Sequence, residues 1–383
     1  VLLVAAGLLI RSGILLQGVE PGFATARVFT AWLALPPAQY ESVESVRQAY
    51  DRILTEVRAV PGVESAAGIT VIPMTGLSAQ SNFIPEGRAD DPANSISFNF
   101  RLATPGVFRT LKIPIKQGRD FDDRDVAGSP CVIIINEAAA KKAWPNENPI
   151  GKRLPGRRDE GGQRTMCSVV GVVGDAHDDG LREPVRPQLY FASAQAPAAF
   201  WNAMQRSMFV IARTSGDPRA MTKQLQAAVG RVDPTLPMFD VQSMEERVSA
   251  SLATGRFNTM LLTTLGAIGL LLAAVGIYGV VAYFVTQRTG EIGLRMALGA
   301  TPGRVLRLVV GQGMRPVVLG IVVGVALAGA ATRLLASLVF GVSTRDPLTF
   351  IAVPLVLGLV ALVASVMPAR RAIRVEPTKA LQS

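Results

Sequence analysis

Apolar and polar positions change rhythm along this 383-residue chain. Residues 260–285, "MLLTTLGAIGLLLAAVGIYGVVAYFV", hold no ionisable side chain except two tyrosines. The run exceeds the ~20 residues that cross about 30 Å of hydrocarbon. Residues 316–331 continue through 334–340 with Arg333 as the interruption, and 348–367 are again free of charge. Each predicts a membrane-spanning helix. The N-terminal "VLLVAAGLLIRSGILLQ" gives ten apolar residues before Arg11, without a basic start or a small-residue cleavage site. It predicts the outer part of a first spanning helix that begins before residue 1.

The long region between the first and second spans follows other periods. "RVFTAWLAL" is strand-like, Val43, Val46, Tyr50, Ile53 and Val57 recur at helical spacing, and "VESAAGITVI" reads as a strand. Near the far end "MFVIA" leads to Asp217 and Pro218, an expected N-cap and first-turn pair, then to Met221, Leu225, Val229 and Val232 on one face, then to "MFDV". These two β-α-β units predict one α+β subdomain built from both ends of the region, with residues from about 90 to 205 inserted. Within the insertion "SISFNFRLA", "CVIIIN" and "MCSVVGVVGD" read as strands and "EAAAKKAW" as a short helix.

Composition supports the membrane class: 49% of residues are hydrophobic, 18% are charged and the mean hydropathy is +0.33. The formal charge of +10 is concentrated. Residues 286–315 carry five arginines (Arg288, Arg295, Arg304, Arg307, Arg315) against Glu291, and 369–383 carry four basic residues against Glu376. Positive residues near spans mark the cytoplasmic side, so both segments are expected inside and residues 18–256 outside. A charge placed by topology argues against a nucleic-acid face. Cys131 and Cys167 both fall in the external region, where an oxidising compartment permits a bridge; two small buried thiols fit the sequence equally.

Catalytic chemistry is hard to place. The chain has no phosphate-cradling G-x-x-x-x-G-K-[ST] loop, and "GKRLPGRR" lacks its spacing. The single histidine, His177, lies in "GDAHDDG" among Asp175, Asp178 and Asp179, which reads as a solvated turn rather than a metal site. Gly320 and Gly324 form a G-x-x-x-G pair that suits helix packing, either within the bundle or between copies. Arg11 and Arg333 are expected to snorkel at the outer interface.

The segment "QRTGEIGLRMALGATPGR", residues 287–304, follows directly on a span. Thr289 is a candidate N-cap, Glu291 lies in the first turn where the helix dipole favours an acid, and Arg295 follows four residues later. That ion pair adds only about 0.2–0.5 kcal/mol, so stability does not explain the segment. Ile292 with Met296 and Leu294 with Leu298 give i, i+4 apolar pairs, while Gly290, Gly293 and Gly299 weaken an autonomous helix. A short amphipathic helix of this kind either lies in headgroups as an anchor or fills a groove on a cytoplasmic partner, and the glycines favour a partner that fixes its shape.

"QRTGEIGLRMALGATPGRVLRLVV" after a span, with "LTFIAVPLVLGLVALVASVMPARRAIRVEPTKALQ" at the end, resembles the C-terminal membrane region of FtsX-like permeases. "TPGVFRTLKIPIKQGRDFDDRD", "VIIINEAAAKKAWPNENPIGKRL" and "VVGVVGD" resemble the periplasmic core domain of the MacB type. The resemblance implies an α-helical membrane protein with four transmembrane helices, the first truncated, and a large α+β periplasmic domain of two subdomains, porter-like β-α-β units with a sabre-like insertion. The expected boundaries are 1–17 for the first span, 18–256 for the periplasmic domain, 257–286 for the second span and 287–304 for a cytoplasmic coupling helix. A third span with an amphipathic start follows at 305–340, then an external loop at 341–347, a fourth span at 348–368 and a cytoplasmic tail at 369–383.

The implied function is that of a permease subunit of an ABC transporter in the bacterial inner membrane. Cytoplasmic ATP hydrolysis would drive periplasmic conformational change for efflux or export. Contact with the ATPase would come from Glu291, Ile292, Arg295, Ala297, Leu298, Gly299 and Ala300, with a tail contact from Arg370, Arg371, Pro377 and Leu381. The chain carries no ATPase motif and no cofactor of its own; ATP would be bound by a separate cytoplasmic ABC ATPase. A second permease unit, as a homodimer or as a fused copy in a duplicated permease, is a further implied partner, with a periplasmic adaptor and an outer-membrane channel. The competing readings are an FtsX-like regulator of a periplasmic cell-wall hydrolase, a lipoprotein-release-type permease, and a sensory receptor.

Overall fold

The structure is a computed structural model, which describes residues 2–373 except 90, 159–163, 196–203, 205, 288–290, 292–293, 295–297, 299 and 336–345. The chain divides into two compact units, Val19–Ala253 and a helical unit formed by Val1–Gly18 with Thr254–Ser383.

In the helical unit α1 spans Leu2–Gln17. Three long described helices of this unit, α7 (Ala253–Gln287), α8 (Pro302–Leu335) and α9 (Pro347–Ile373), are each long and apolar enough to cross a membrane. At 1.5 Å per residue the 16 residues of α1 reach about 24 Å. Leu271, Leu272 and Val275 of α7 are 67–68% exposed, which is stable only against lipid or another apolar surface. The helices pack where side chains are small. A Cβ on Gly7 would come within 2.8 Å of the Thr349 side chain, and one on Gly313 within 2.8 Å of Val281. Val4 and Leu8 of α1 form a cluster with Ala328 of α8 and with Phe350 and Val353 of α9. Arg11 is not a lone snorkelling residue: its guanidinium pairs with Asp346, whose carboxylate also caps α9 by accepting from the Thr349 N–H at 2.9 Å. An opposite charge at the same depth offers more than headgroup water. The Arg333 side chain lies outside the described residues.

The other unit is built on one sheet. Its described elements are β1 (Val28–Ala34), α2 (Val43–Arg58), β2 (Val63–Ile69), β3 (Gln80–Phe83), β4 (Ile96–Ala103), α3 (Val107–Leu111) and β5 (Ile115–Gly118). They continue with β6 (Val132–Asn136), α4 (Glu137–Ala143), β7 (Arg153–Arg158), β8 (Arg164–Val173) and β9 (Gln188–Ala192). Then come β10 (Ser207–Thr214), α5 (Thr222–Val232), β11 (Phe239–Ser243) and α6 (Met244–Ser251). The strand order is β11-β1-β10-β2-β4-β9-β6-β8-β5, with β3 on β4 and β7 on β8.

The first four strands with α2 and α5 make a β-α-β-β-α-β arrangement of ferredoxin-like order, whose second crossover arrives only after the whole of β3–β9. Alternation along the strands sends Phe29, Ala31, Leu33, Met208, Val210 and Ala212 toward α2 and α5, where Val46, Tyr50, Ile53, Leu225 and Val229 complete the core. Ser42 and Ser45 close α2 with a reciprocal capping box. Asp217 and Pro218 do not start α5. The Asp217 carboxylate accepts from the Arg219 N–H at 2.9 Å and closes a separate turn, and the helix begins at Thr222.

The other seven described strands cover a second core on the same sheet face, including Phe98, Phe100, Leu102, Ile133, Ile135, Trp144 and Leu189. "GKRLPGRR" contributes β7, and a Cβ on Gly156 would sit 2.4 Å from the Cys167 sulfur, so only glycine lets this strand lie there. Cys131 and Cys167 are paired in a disulfide that closes a 36-residue separation.

Candidate functional site

The candidate coupling segment follows α7. Glu291 and Leu294 are helical, and the Leu298 N–H donates to the Leu294 carbonyl at 3.0 Å, one further turn. Leu294 is 52% exposed and Leu298 79% exposed, so the i, i+4 apolar pair stands open. Glu291 is exposed and Ala300 half-buried, while Ile292, Arg295, Ala297 and Gly299 lie outside the described residues. Of the tail, Arg370 is exposed and Arg371 belongs to α9, while Pro377 and Leu381 lie outside the described residues. Among the described residues no atom comes within 4 Å of a Cβ placed on Gly320 or Gly324. They line an apolar cleft of about 490 Å³ with Val4, Ile277, Pro316 and Pro354.

In the sheet unit the polar groups gather on the face opposite the two apolar cores. Arg101 of β4 is 2% exposed, the wrong place for a cation without a partner. Its Nη1 donates to Asp178 Oδ1 at 3.1 Å, its Nη2 to Asp178 Oδ2, and the guanidinium lies 5.1 Å from the Tyr190 ring centre. Gln188 Nε2 donates to Asp178 Oδ2 at 2.9 Å and the Tyr190 hydroxyl donates to Gln188 Oε1 at 2.7 Å. Burial alone would push the Arg101 guanidinium down, but the Asp178 carboxylate and the hydrogen bonds to it hold it above its ordinary value. "GDAHDDG" is therefore no solvated turn, since Asp178 is buried. Its local sequence hides this because the compensating arginine comes 77 residues earlier. Among the described residues no cluster suits a metal ion.

Two further arginines hold the chain where it arrives from, and leaves for, the helical unit. Arg213 donates from Nε to the Thr110 carbonyl at 2.9 Å and from Nη1 to the Ala26 carbonyl at 3.2 Å, fixing the segment before β1 against α3. Desolvation lowers its affinity for a proton. Arg247 of α6, 5% exposed, donates to Thr30 Oγ1 at 2.7 Å, to Asp240 Oδ2 at 2.7 Å and to the Asp240 carbonyl at 2.6 Å. Its guanidinium lies 5.2 Å from the Phe209 ring centre. Sequence reasoning passed over all three arginines. The available signal was a cation inside an otherwise apolar strand, as in "FNFRLA" and "FVIART".

Comparisons with known proteins agree with this organisation. Residues 3–228 match the family model of the MacB-like periplasmic core domain, and residues 263–377 match that of the FtsX-like permease C-terminal region. The chain is 26% identical over 406 positions to a macrolide export ATP-binding/permease protein MacB of an Azoarcus species, covering 98% of this chain and 57% of that protein. It is 22% identical to an uncharacterized ABC transporter permease YknZ of Bacillus subtilis, over 92% of this chain and 85% of that one. A pyoverdine export ATP-binding/permease protein PvdT of Pseudomonas putida is 29% identical over 70% of this chain and 40% of its own length. The chain thus spans about half the length of the MacB and PvdT relatives it matches, and the match falls on their permease portion. Among solved structures, the periplasmic region of MacB from Actinobacillus actinomycetemcomitans aligns at 15% identity and a TM-score of 0.37, over 59% of this chain and 92% of that one. The chain belongs to the family of FtsX-like ABC transporter permeases that carry a MacB-like periplasmic core domain.

Proposed function

We propose that this chain is the permease subunit of an ABC exporter that turns cytoplasmic ATP hydrolysis by a separate ATPase into movement of its outer domain. The observation that carries the reading is the exposed Leu294 and Leu298 pair directly after a spanning helix, an apolar ridge that stability does not require and a partner groove would cover. Four crossings are proposed, with α1 as the first. The arginine-rich segments at 287–304 and 369–383 lie on the cytoplasmic side and Val19–Ala253 lies outside the bacterial inner membrane. The excess of positive residues in both segments and the disulfide in the outer unit support that sidedness. Relatives named for macrolide and pyoverdine export favour efflux as the output, with a second permease unit, an adaptor and an outer channel as proposed partners.

Replacing Glu291 and Arg295 together with alanine tests the docking role. The complex is expected to lose co-purification with the ATPase, and ATP hydrolysis stimulated by the permease is expected to fall at least tenfold. Unchanged binding and turnover would remove the segment from the mechanism.

A further inference from the structure

The eleven described strands form one sheet, yet the sheet is nearly cut in two. β1 and β10 share seven register pairs and β4 and β9 share five, but β2 and β4 share one, Ile69 with Ala103. Only two backbone bonds flank it: the Thr70 N–H donates to the Leu102 carbonyl at 3.0 Å and the Thr104 N–H to the Gly68 carbonyl at 2.9 Å. The next two amides are satisfied by side chains instead. The Leu102 N–H donates to Thr70 Oγ1 at 3.0 Å and the Gly68 N–H to Thr104 Oγ1 at 2.8 Å. The two apolar cores lie on either side of this seam. Hydroxyl acceptors satisfy buried amides while leaving the strands free of a continuous ladder, so the seam is the softest line across the sheet.

The two covalent connections to the helical unit first touch the domain on different sides of that line, although the first of them goes on to bond β10 through Ala26 and Arg27, which accept from Arg213 and from the Thr214 N–H. Arriving from α1, Pro21 and Gly22 meet the loop after β8 in the seven-stranded half, where the His177 N–H donates to the Pro21 carbonyl at 2.9 Å; the Ala24 N–H then donates at 2.7 Å to the Leu111 carbonyl of α3, which spans the seam. At Gly22, where φ is +82°, a Cβ would lie 1.9 Å from the Asp175 carbonyl oxygen, so the strap is seated without clearance. The loop that receives it is held down by the Asp178–Arg101 pair. α6, which leads into α7, is held by Arg247 to Thr30, Asp240 and Phe209, all in the four-stranded half. On the same face α3 crosses the seam, bonded to Ser65 through Thr110 at 3.0 Å and stacked edge-on through Phe108 against Tyr190 at 4.9 Å. It ties the two halves on that face, so the freer side is the opposite one.

We propose that the outer domain works by bending at the Ile69–Ala103 seam, Pro21 and Gly22 of the incoming strap bearing on the seven-stranded half and Arg247 of α6 holding the four-stranded one. This rests on the force-transmission reading above and names the place in the domain where the force is spent. Displacement of α1 relative to α7 becomes a change of angle between the halves.

Hydrogen exchange on the full chain with its ATPase in lipid nanodiscs, compared without nucleotide and with ATP plus vanadate, tests it. The amides of Gly68, Thr70, Leu102 and Thr104 are expected to change exchange rate at least tenfold, with the centres of β10 and β8 unchanged. Ile69 and Ala103 form a non-hydrogen-bonded pair, whose Cα atoms in such ladders lie about 4.5 Å apart, within disulfide reach. Oxidised Ile69→Cys with Ala103→Cys is therefore expected to abolish the seam response while ATP hydrolysis continues. Thr70→Val with Thr104→Val is expected to raise exchange at Leu102 and Gly68 even without nucleotide. A nucleotide response elsewhere in the outer domain with the seam unaltered overturns the hinge and leaves transmission standing. No response anywhere in the outer domain overturns both.

Discussion

Replacing Asp178 with asparagine is the sharpest perturbation of the outer domain. The substitution preserves shape and leaves one oxygen to accept from Arg101, but it removes the charge that compensates a guanidinium only 2% exposed. Among the described residues no second carboxylate contacts Arg101: Nη1 also reaches the Val71 carbonyl at 3.4 Å, and Nε has no hydrogen-bond acceptor. Breaking a buried pair from one side costs about 3–5 kcal/mol, chiefly because the remaining charge stays desolvated. For a unit the size of Val19–Ala253 each kcal/mol moves the unfolding midpoint by about 2–4 °C, so the midpoint should fall by roughly 6–20 °C. All three tryptophans, Trp32, Trp144 and Trp201, lie in this unit, so intrinsic fluorescence during heating of the full chain reports it selectively. Replacing both partners, Arg101→Met with Asp178→Leu, should recover much of the loss, since an apolar pair leaves no stranded charge. A shift below about 3 °C for Asp178→Asn would refute the reasoning, because it would mean that Arg101 finds water or another anion.

The other expectations use the same signal. Serine at both Cys131 and Cys167 should destabilise the outer unit by about 4 kcal/mol, the closure entropy of a loop of 36 residues, and reduction of the parent should reproduce the shift. The Tyr40 hydroxyl donates to Asp233 at 2.8 Å; burial and that bond push Tyr40 up to about 12, while bonds from Thr235 and Tyr40 hold the Asp233 carboxyl below its ordinary value. The contribution of the depressed carboxyl is present above pH ~4 and lost as pH falls through its folded value, and that of the raised tyrosine is present below pH ~10 and lost as pH rises toward 12. The stability difference between the parent and Tyr40→Phe should therefore shrink in both windows when unfolding is followed across pH, and a flat difference would remove the bond from the account.

Local pattern revealed the elements whose faces are simple. α2 is legible because Val46, Tyr50, Ile53 and Val57 repeat at helical spacing beneath a serine cap, and β6 because "VIIIN" is buried on both faces. The segment after α7 stands out in the sequence because its apolar pair, Leu294 and Leu298, recurs at four residues in a glycine-rich surrounding, and both leucines are exposed in the structure. What escaped depends on distance along the chain. β5 is four exposed residues, and β3 has one half-buried phenylalanine, so neither carries a period. Asp178 looks solvated between two acidic neighbours, Asp175 and Asp179, until β4 and β9 bring Arg101 and Gln188 beside it. Arg247 looks like an ordinary helix cation until β1 and β11 place Thr30 and Asp240 under it. Two polar residues far apart in sequence leave no mark on each other's neighbourhood, whereas an apolar face repeats its mark every turn.

The division of chemistry between the two faces of the sheet bears on what the outer domain does. One face carries the apolar cores, whose contacts are non-directional and tolerate small sliding at modest cost. The other carries Arg101, Arg213 and Arg247, whose planar forks hold partners at fixed angles and leave little freedom per bond. Both connections to the helical unit are fastened to that second face. A domain selected only for stability would gain more from filling these positions with apolar side chains, since buried ion pairs stabilise less than well-packed hydrophobic substitutes. Directional anchors are worth their desolvation where position has to be passed on, and they stand here at the two points where the chain meets its membrane helices. In the segments 260–285 and 348–367 charges are absent, so these spans carry none of the ionisable groups that mark an ion path or a proton relay.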